Sequence, residues 1–246
     1  MRRFAATALL FILLASALQG CLLTRVLETR GQLCDDQPSR IVVARAPGKG
    51  LRVVFEKPTL TDRDVIWIVG YEPTQVTGTG AVRQFTYEAL PLHRPLDRSA
   101  GLVAELSFER LDGEYRLAEV AIPEKFSAVL SPALLEDVVR VACKAQIGIV
   151  PPTTSFDLAS LDRSTLPTRD DLTRLLGPPP ASMGASDEVS YQYCLAPCDA
   201  SSAMAANVKV SFGNRGEMQR VDASYFRYFV AIDLVSSRAT ARVELR

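Results

Sequence analysis

Leu102-Val-Ala-Glu-Leu-Ser-Phe-Glu-Arg-Leu-Asp-Gly-Glu-Tyr-Arg-Leu-Ala-Glu-Val-Ala-Ile122 is the stretch whose reading decides the fold. Leu102, Ala104, Leu106 and Phe108 alternate with Val103, Glu105, Ser107 and Glu109, the period of a strand with one covered face. Asp112-Gly113 has the composition of a tight hairpin turn, and Tyr115 to Ile122 returns. Working outward, Ile41-Val-Val43 and Leu51 to Glu56 flank Ala46-Pro-Gly-Lys-Gly50, again the pattern of two strands around a turn. Val65-Ile-Trp-Ile-Val69 is a continuous apolar run and reads as a strand covered on both faces. Ala81 to Leu90 follows as another strand. Downstream, Ser131-Pro132 has the signature of a helix start. Leu134, Leu135, Val138, Val139 and Ala142 give that helix one apolar stripe, ending near Cys143. The expectation for residues 40–146 is an α+β domain, an antiparallel sheet with one covering helix.

Pro151-Pro-Thr-Thr154 breaks the pattern, and residues 147–164 read as a proline-rich linker. Beyond it the organisation changes. Thr168 can cap a helix over 169–176, with Asp170 and Asp171 well placed in its first turn. Gly177 and Pro178-Pro179 stop it. Strands are expected around Val189 to Tyr193, over Val208 to Phe212, and from Glu217 to Ala223, with the turn Gly213-Asn-Arg-Gly216 between the last two. The apolar line Phe226, Tyr228, Val230, Ile232, Leu234 extends the sheet, and Thr240 to Leu245 adds one more strand.

The succession Thr168, Leu172, Leu176, Gly177, Pro179, then Tyr191 and Tyr193, then Val208, Val210, Phe212, Gly216, Met218 and Val221 resembles the BamE (SmpA/OmlA) domain of outer-membrane lipoproteins. The resemblance covers about 60 residues and implies a helix plus three or more antiparallel strands, here over residues 165–246, in a module that binds other proteins. Similar modules in exported β-lactamase-inhibitory proteins point the same way. The Cys194/Cys198 pair and the large N-terminal part have no counterpart in that pattern.

The N-terminus is read independently. Arg2-Arg3 followed by an apolar run from Ala5 to Ala17 forms a secretory signal, and about 13 residues fall short of the ~20 a spanning helix needs. Leu18-Gln-Gly-Cys21 resembles a bacterial lipobox, which implies removal of residues 1–20 and acylation of Cys21. Leu22, in place of the aspartate that marks inner-membrane retention, implies the periplasmic face of the outer membrane. Residues 21–39 are then a lipidated tether.

The mature chain loses Arg2 and Arg3 from 28 basic residues and nothing from 28 acidic ones, leaving 26 against 28, or −2. Near neutrality speaks against a nucleic-acid partner. Cys34, Cys143, Cys194 and Cys198 remain, an even number in an exported chain, and read as two disulfides with three possible connectivities, of which the favoured one has Cys194–Cys198 as a local clip and Cys34–Cys143 across the first domain. A metal site is not expected with one histidine, His93, and no second close cysteine pair. Neither Gly48-Lys-Gly50 nor Gly78-Thr-Gly80 has the spacing of a phosphate loop. His93 lies in a proline-broken loop without an evident nucleophile, and Asp35-Asp36 reads as a solvated pair. No cofactor and no catalytic residues are assigned. The function expected is that of a non-catalytic, outer-membrane-anchored lipoprotein binding another cell-envelope protein. The alternative is a periplasmic small-ligand or inhibitor-like module using the aromatic stretch Tyr225 to Tyr228.

Overall fold

The short helix α2 (Asp62–Val69) occupies the segment whose apolar run reads as a strand, and its caps explain why. Thr61 accepts from the Asp64 N–H while the Asp64 carboxylate accepts from the Thr61 N–H. This reciprocal box satisfies donors that a helix start otherwise leaves orphaned. At the other end Gly70, at φ 74°, donates its N–H to the Ile66 carbonyl. A short apolar run is ambiguous by periodicity alone, and here the flanking Thr-x-x-Asp and Gly decide it.

The computed structural model describes residues 22–34, 40–46, 50–94, 97–124, 134, 143–144, 146–147, 153–180, 187–196, 198 and 206–244. Within these, helix α1 spans residues 22–34 and α3 spans Arg169–Leu176. The strands are β1 (Ile41–Ala46), β2 (Gly50–Phe55), β3 (Gln75–Thr79), β4 (Val82–Pro91), β5 (Leu102–Leu111) and β6 (Glu114–Ile122). They continue with β7 (Gln146–Ile147), β8 (Thr153–Asp157), β9 (Glu188–Leu195), β10 (Ala206–Phe212), β11 (Met218–Tyr225), β12 (Tyr228–Asp233) and β13 (Arg238–Val243). The sheet runs in the order β1-β2-β6-β5-β4-β9-β10-β11-β12-β13-β8-β7, with β3 paired to β4 off that path. Every pairing is antiparallel.

The expected fold class, two α+β modules with the second a small BamE-like unit of one helix plus three or more strands, is therefore corrected. The described chain is mostly β, thirteen strands in one sheet. Two ladders account for the difference. β4 pairs with β9 through Ala89↔Leu195, Leu90↔Cys194 and Pro91↔Tyr193, so the hydrogen bonding runs on across the drawn boundary. β8, drawn from residues read as linker, pairs with β13 from Arg238↔Asp157 to Arg242↔Thr153. Its Thr-Thr-Ser-Phe sequence has strand propensity that the neighbouring prolines conceal. Residues 22–34, read as tether, are helical. The helix expected from Ser131 to Cys143 lies outside the described residues except at Leu134 and Cys143.

Three apolar clusters sit on the sheet, one of them gathering Leu158, Leu234 and Ala239 and the other two each lying beneath one short helix. Val65 of α2 packs with Phe85, Tyr87, Leu106, Phe108 and Leu117, the last five being the inward-facing residues of β4, β5 and β6. Leu172 and Leu176 of α3 cover Val189, Tyr191, Tyr193, Val210 and Phe212. Thr168 caps α3 as its sequence predicts, accepting from the Asp171 N–H. Both disulfides form with the expected connectivity, Cys34–Cys143 with Cα atoms 5.3 Å apart and Cys194–Cys198 at 5.5 Å.

Candidate binding surface

The hairpin β11–β12 reaches across the sheet and ends against the C-terminus of α2. Its turn is two residues long, Phe226 and Arg227, because Tyr225 pairs with Tyr228. The last carbonyls of a helix have no intrahelical donors, and here the hairpin supplies them. Arg227 donates to the Trp67 carbonyl at 3.1 Å, Tyr228 to Ile68 at 2.9 Å, and Tyr225 to Val69 at 2.8 Å. The cation also sits at the negative end of the helix dipole. Burial and the neighbouring Tyr228 and Tyr71 hydroxyls push the Tyr225 phenol up to about 12, so it stays a neutral donor.

Capping alone does not account for the outer half of this arrangement. Trp67 points away from the core and is 51 % exposed, and Phe226 is 37 % exposed. The Arg227 guanidinium lies 3.7 Å from the Trp67 ring centroid and 5.4 Å from that of Phe226. Such stacking is worth about 0.5–1 kcal/mol at an exposed site. Phe226 adopts φ 53°, a left-handed conformation unusual for a bulky residue. Its ring fits over Gly70, where an added Cβ would come within 2.6 Å of it. Ile66, Trp67, Tyr71, Glu72, Pro73, Phe226 and Arg227 are among the residues lining an open cleft of about 710 Å³. Among the described residues Arg227 forms no ion pair, which leaves its charge available at the mouth of an apolar cleft. Aromatic rings with an arginine are the side chains that dominate protein interfaces.

The residues singled out in the sequence lie elsewhere. His93 is exposed in the loop after β4, accepts from Arg94 Nε at 3.2 Å, and is held below its ordinary pKa by burial and the Arg94 charge. Asp35, Asp36 and Cys21 lie outside the described residues. On the outer face of β2, β5 and β6 a polar groove of about 530 Å³ holds Glu105, Glu119 and Glu124. Arg52 binds Glu119 through two nitrogens, which occupies that carboxylate. Among the described residues no three His, Cys, Asp or Glu side chains converge as a metal ion would require. No described helix is long and apolar enough to cross a membrane.

Tyr225 to Tyr228 is the one sequence-nominated stretch that the structure brings to the cleft. The sequence gives no cue to Trp67, Gly70 and Tyr71, because reading Val65 to Val69 as a buried strand hides the outward side chain. The signal that exposes it is the helix phase: with Val65 and Ile66 packed on the sheet, Trp67 falls on the far side. No family model, no curated protein and no solved structure matches the chain.

Proposed function

We propose that this chain is a non-catalytic lipoprotein, anchored through Cys21 in the outer membrane with its body in the periplasm, that binds another envelope protein through the cleft at Trp67, Phe226 and Arg227. The anchor rests on the Leu18-Gln-Gly-Cys21 sequence and the signal before it. The binding role rests on one observation: an exposed tryptophan with an arginine stacked on it, beside a phenylalanine held at positive φ. Backbone strain of this kind costs about 1–3 kcal/mol and clusters at ligand clamps. A partner segment presenting an apolar side chain beside a carboxylate matches the rings and the Arg227 charge, which has no ion-pair partner among the described residues.

Trp67 is the sole tryptophan of the chain, so its emission reports this cleft without interference. Crosslinking in cells from a photoreactive residue at position 72, in the cleft lining, is the test, with Cys21→Ala and Trp67→Ala chains beside the wild type. A partner that is captured by the wild type, and whose purified form shifts Trp67 emission, supports the reading. Truncating an interface tryptophan costs about 2 kcal/mol or more, roughly 30-fold in affinity, and Trp67→Ala should weaken that partner by this amount. Emission that responds to small apolar anions and to no envelope protein would favour the ligand-binding alternative instead.

A further inference from the structure

Helix α1 carries a second feature that the cleft does not use. Leu23, Val26 and Leu27 are 60 %, 37 % and 49 % exposed, and their i, i+3, i+4 spacing places them on one side of the helix. The opposite side is fastened to the body. Arg25 lies 3.0 Å from the buried Asp64 at the start of α2, and the Thr29 and Thr59 hydroxyls are 2.6 Å apart. Gln32 is 5 % exposed. Further along, at 100° per residue, Arg30 and Cys34 return to the side of the stripe, where Arg30 donates to the Cys143 carbonyl at 3.0 Å and Cys34 is disulfide-bonded to Cys143, so the exposed stripe ends at Leu27. The helix therefore does not swing on a hinge. Its orientation is the orientation of the sheet.

Leu23 follows Cys21 by two residues, a reach of at most about 7 Å of chain. Any lipid on Cys21 holds Leu23 within that distance of the lipidated residue, with Val26 and Leu27 about 4.5 and 6 Å further along the helix. Glu28, paired with Lys57 at 3.5 Å, sits about 100° round the helix from Leu27, outside the stripe. We infer that α1 lies in the membrane interface with Leu23, Val26 and Leu27 among the acyl chains, so that lipid and helix together fix how the body stands on the membrane. The occupant is the bilayer itself, and this inference rests on the anchored reading above.

The test uses the processed chain in vesicles of phosphatidylethanolamine and phosphatidylglycerol with brominated acyl chains. The wild type reports position 67 alone, and a Leu23→Trp chain adds an indole at an exposed site. An interfacial helix sits roughly 5–10 Å into the headgroup–acyl boundary. The added emission should then fall by roughly half in brominated vesicles while that of Trp67 hardly changes. Loss of the added emission to aqueous iodide, with no bromine quenching on bound protein, would overturn the inference. Intact mass reports acylation of Cys21 separately. The same two chains, with a hexahistidine tag replacing residues 1–21, are also recruited to brominated vesicles containing nickel-chelating lipid. Bromine quenching there without acylation in cells retires the anchor and keeps the helix; acylation without quenching retires the helix and keeps the anchor.

Discussion

At the scale of single residues, Gly70 carries two requirements at once. Its φ of 74° is the left-handed region, which costs a residue with a side chain about 1–2 kcal/mol. Its missing Cβ is the space that the Phe226 ring fills. Gly70→Ala should destabilise the protein by about 1–2 kcal/mol from the backbone alone. It should also push Phe226 off the cap and alter the emission of Trp67. Urea unfolding and a native emission spectrum check both. A stability loss with an unchanged spectrum would show that Phe226 does not depend on Gly70. This residue pair was not legible in the sequence. Gly70 reads as an ordinary stop after an apolar run, and Phe226 lies 156 residues away in the chain.

At the scale of elements, α2 and α3 are of equal length and use the same device, a threonine cap with an aspartate three residues on, but in different surroundings. Thr61 and Asp64 are 5 % and 6 % exposed, and Asp64 also holds Arg25 at 3.0 Å. Thr168 and its partner bonds lie at the surface. N-cap threonines contribute about 0.5–2 kcal/mol. Thr61→Ala should fall at the upper end of that range and Thr168→Ala at the lower, because burial leaves the freed Asp64 N–H without water. Equal losses in paired urea titrations would refute the contrast.

The α3 cap also carries a pH signature. The Thr168 hydroxyl and backbone N–H both donate to the Asp171 carboxylate and hold it below its ordinary pKa. A depressed carboxylate contributes stability that is fully present above its unfolded pKa, about 3.9, and lost as pH falls through the lower folded value. Asp162, Asp222 and Asp233 are depressed in the same direction by Ser164, Arg220 and Ser236. Acid unfolding should therefore begin below about pH 4. Asp171→Asn should be less stable at neutral pH, by a margin that shrinks toward zero in acid. A constant margin across that range would remove Asp171 from the account. The α3 cap was legible because every part of it, Thr168, the first-turn acids and Gly177, is local. The α2 cap has the same letters, but its uninterrupted apolar run has the composition of a strand.

For the whole molecule, strands were more legible than their arrangement. Alternation in β5 and β6 and the Asp112-Gly113 turn specify that hairpin locally, pairing Phe108↔Leu117 near the turn, and a one-residue register shift between Ser107 and Phe108 then brings Leu106 opposite Val120. The β4–β9 ladder joins residues about a hundred positions apart, and nothing local encodes such a pairing. Proline-rich flanks made β8 resemble a linker. The disulfides follow the same division, since cysteine parity is legible and their consequences belong to the folded chain. Cys34–Cys143 closes a separation of 109 residues and Cys194–Cys198 one of four. Chain entropy assigns about 4.7 kcal/mol to the long loop and about 2 kcal/mol to the short one. A Cys34→Ala/Cys143→Ala chain should lose the larger amount. Its urea m-value should rise, because an uncrosslinked unfolded chain exposes more surface. A Cys194→Ala/Cys198→Ala chain should keep its m-value. It should lose less stability even though Cys194 is fully buried. The m-values separate the two explanations of any loss: a long-range constraint on the unfolded chain changes the slope, whereas a packing defect at Cys194 changes only the midpoint. If the long-range pair left both slope and midpoint unchanged, the unfolded chain would already hold residues 34 and 143 together, and the clamp on α1 would come from Arg25, Thr29 and Arg30 without the disulfide.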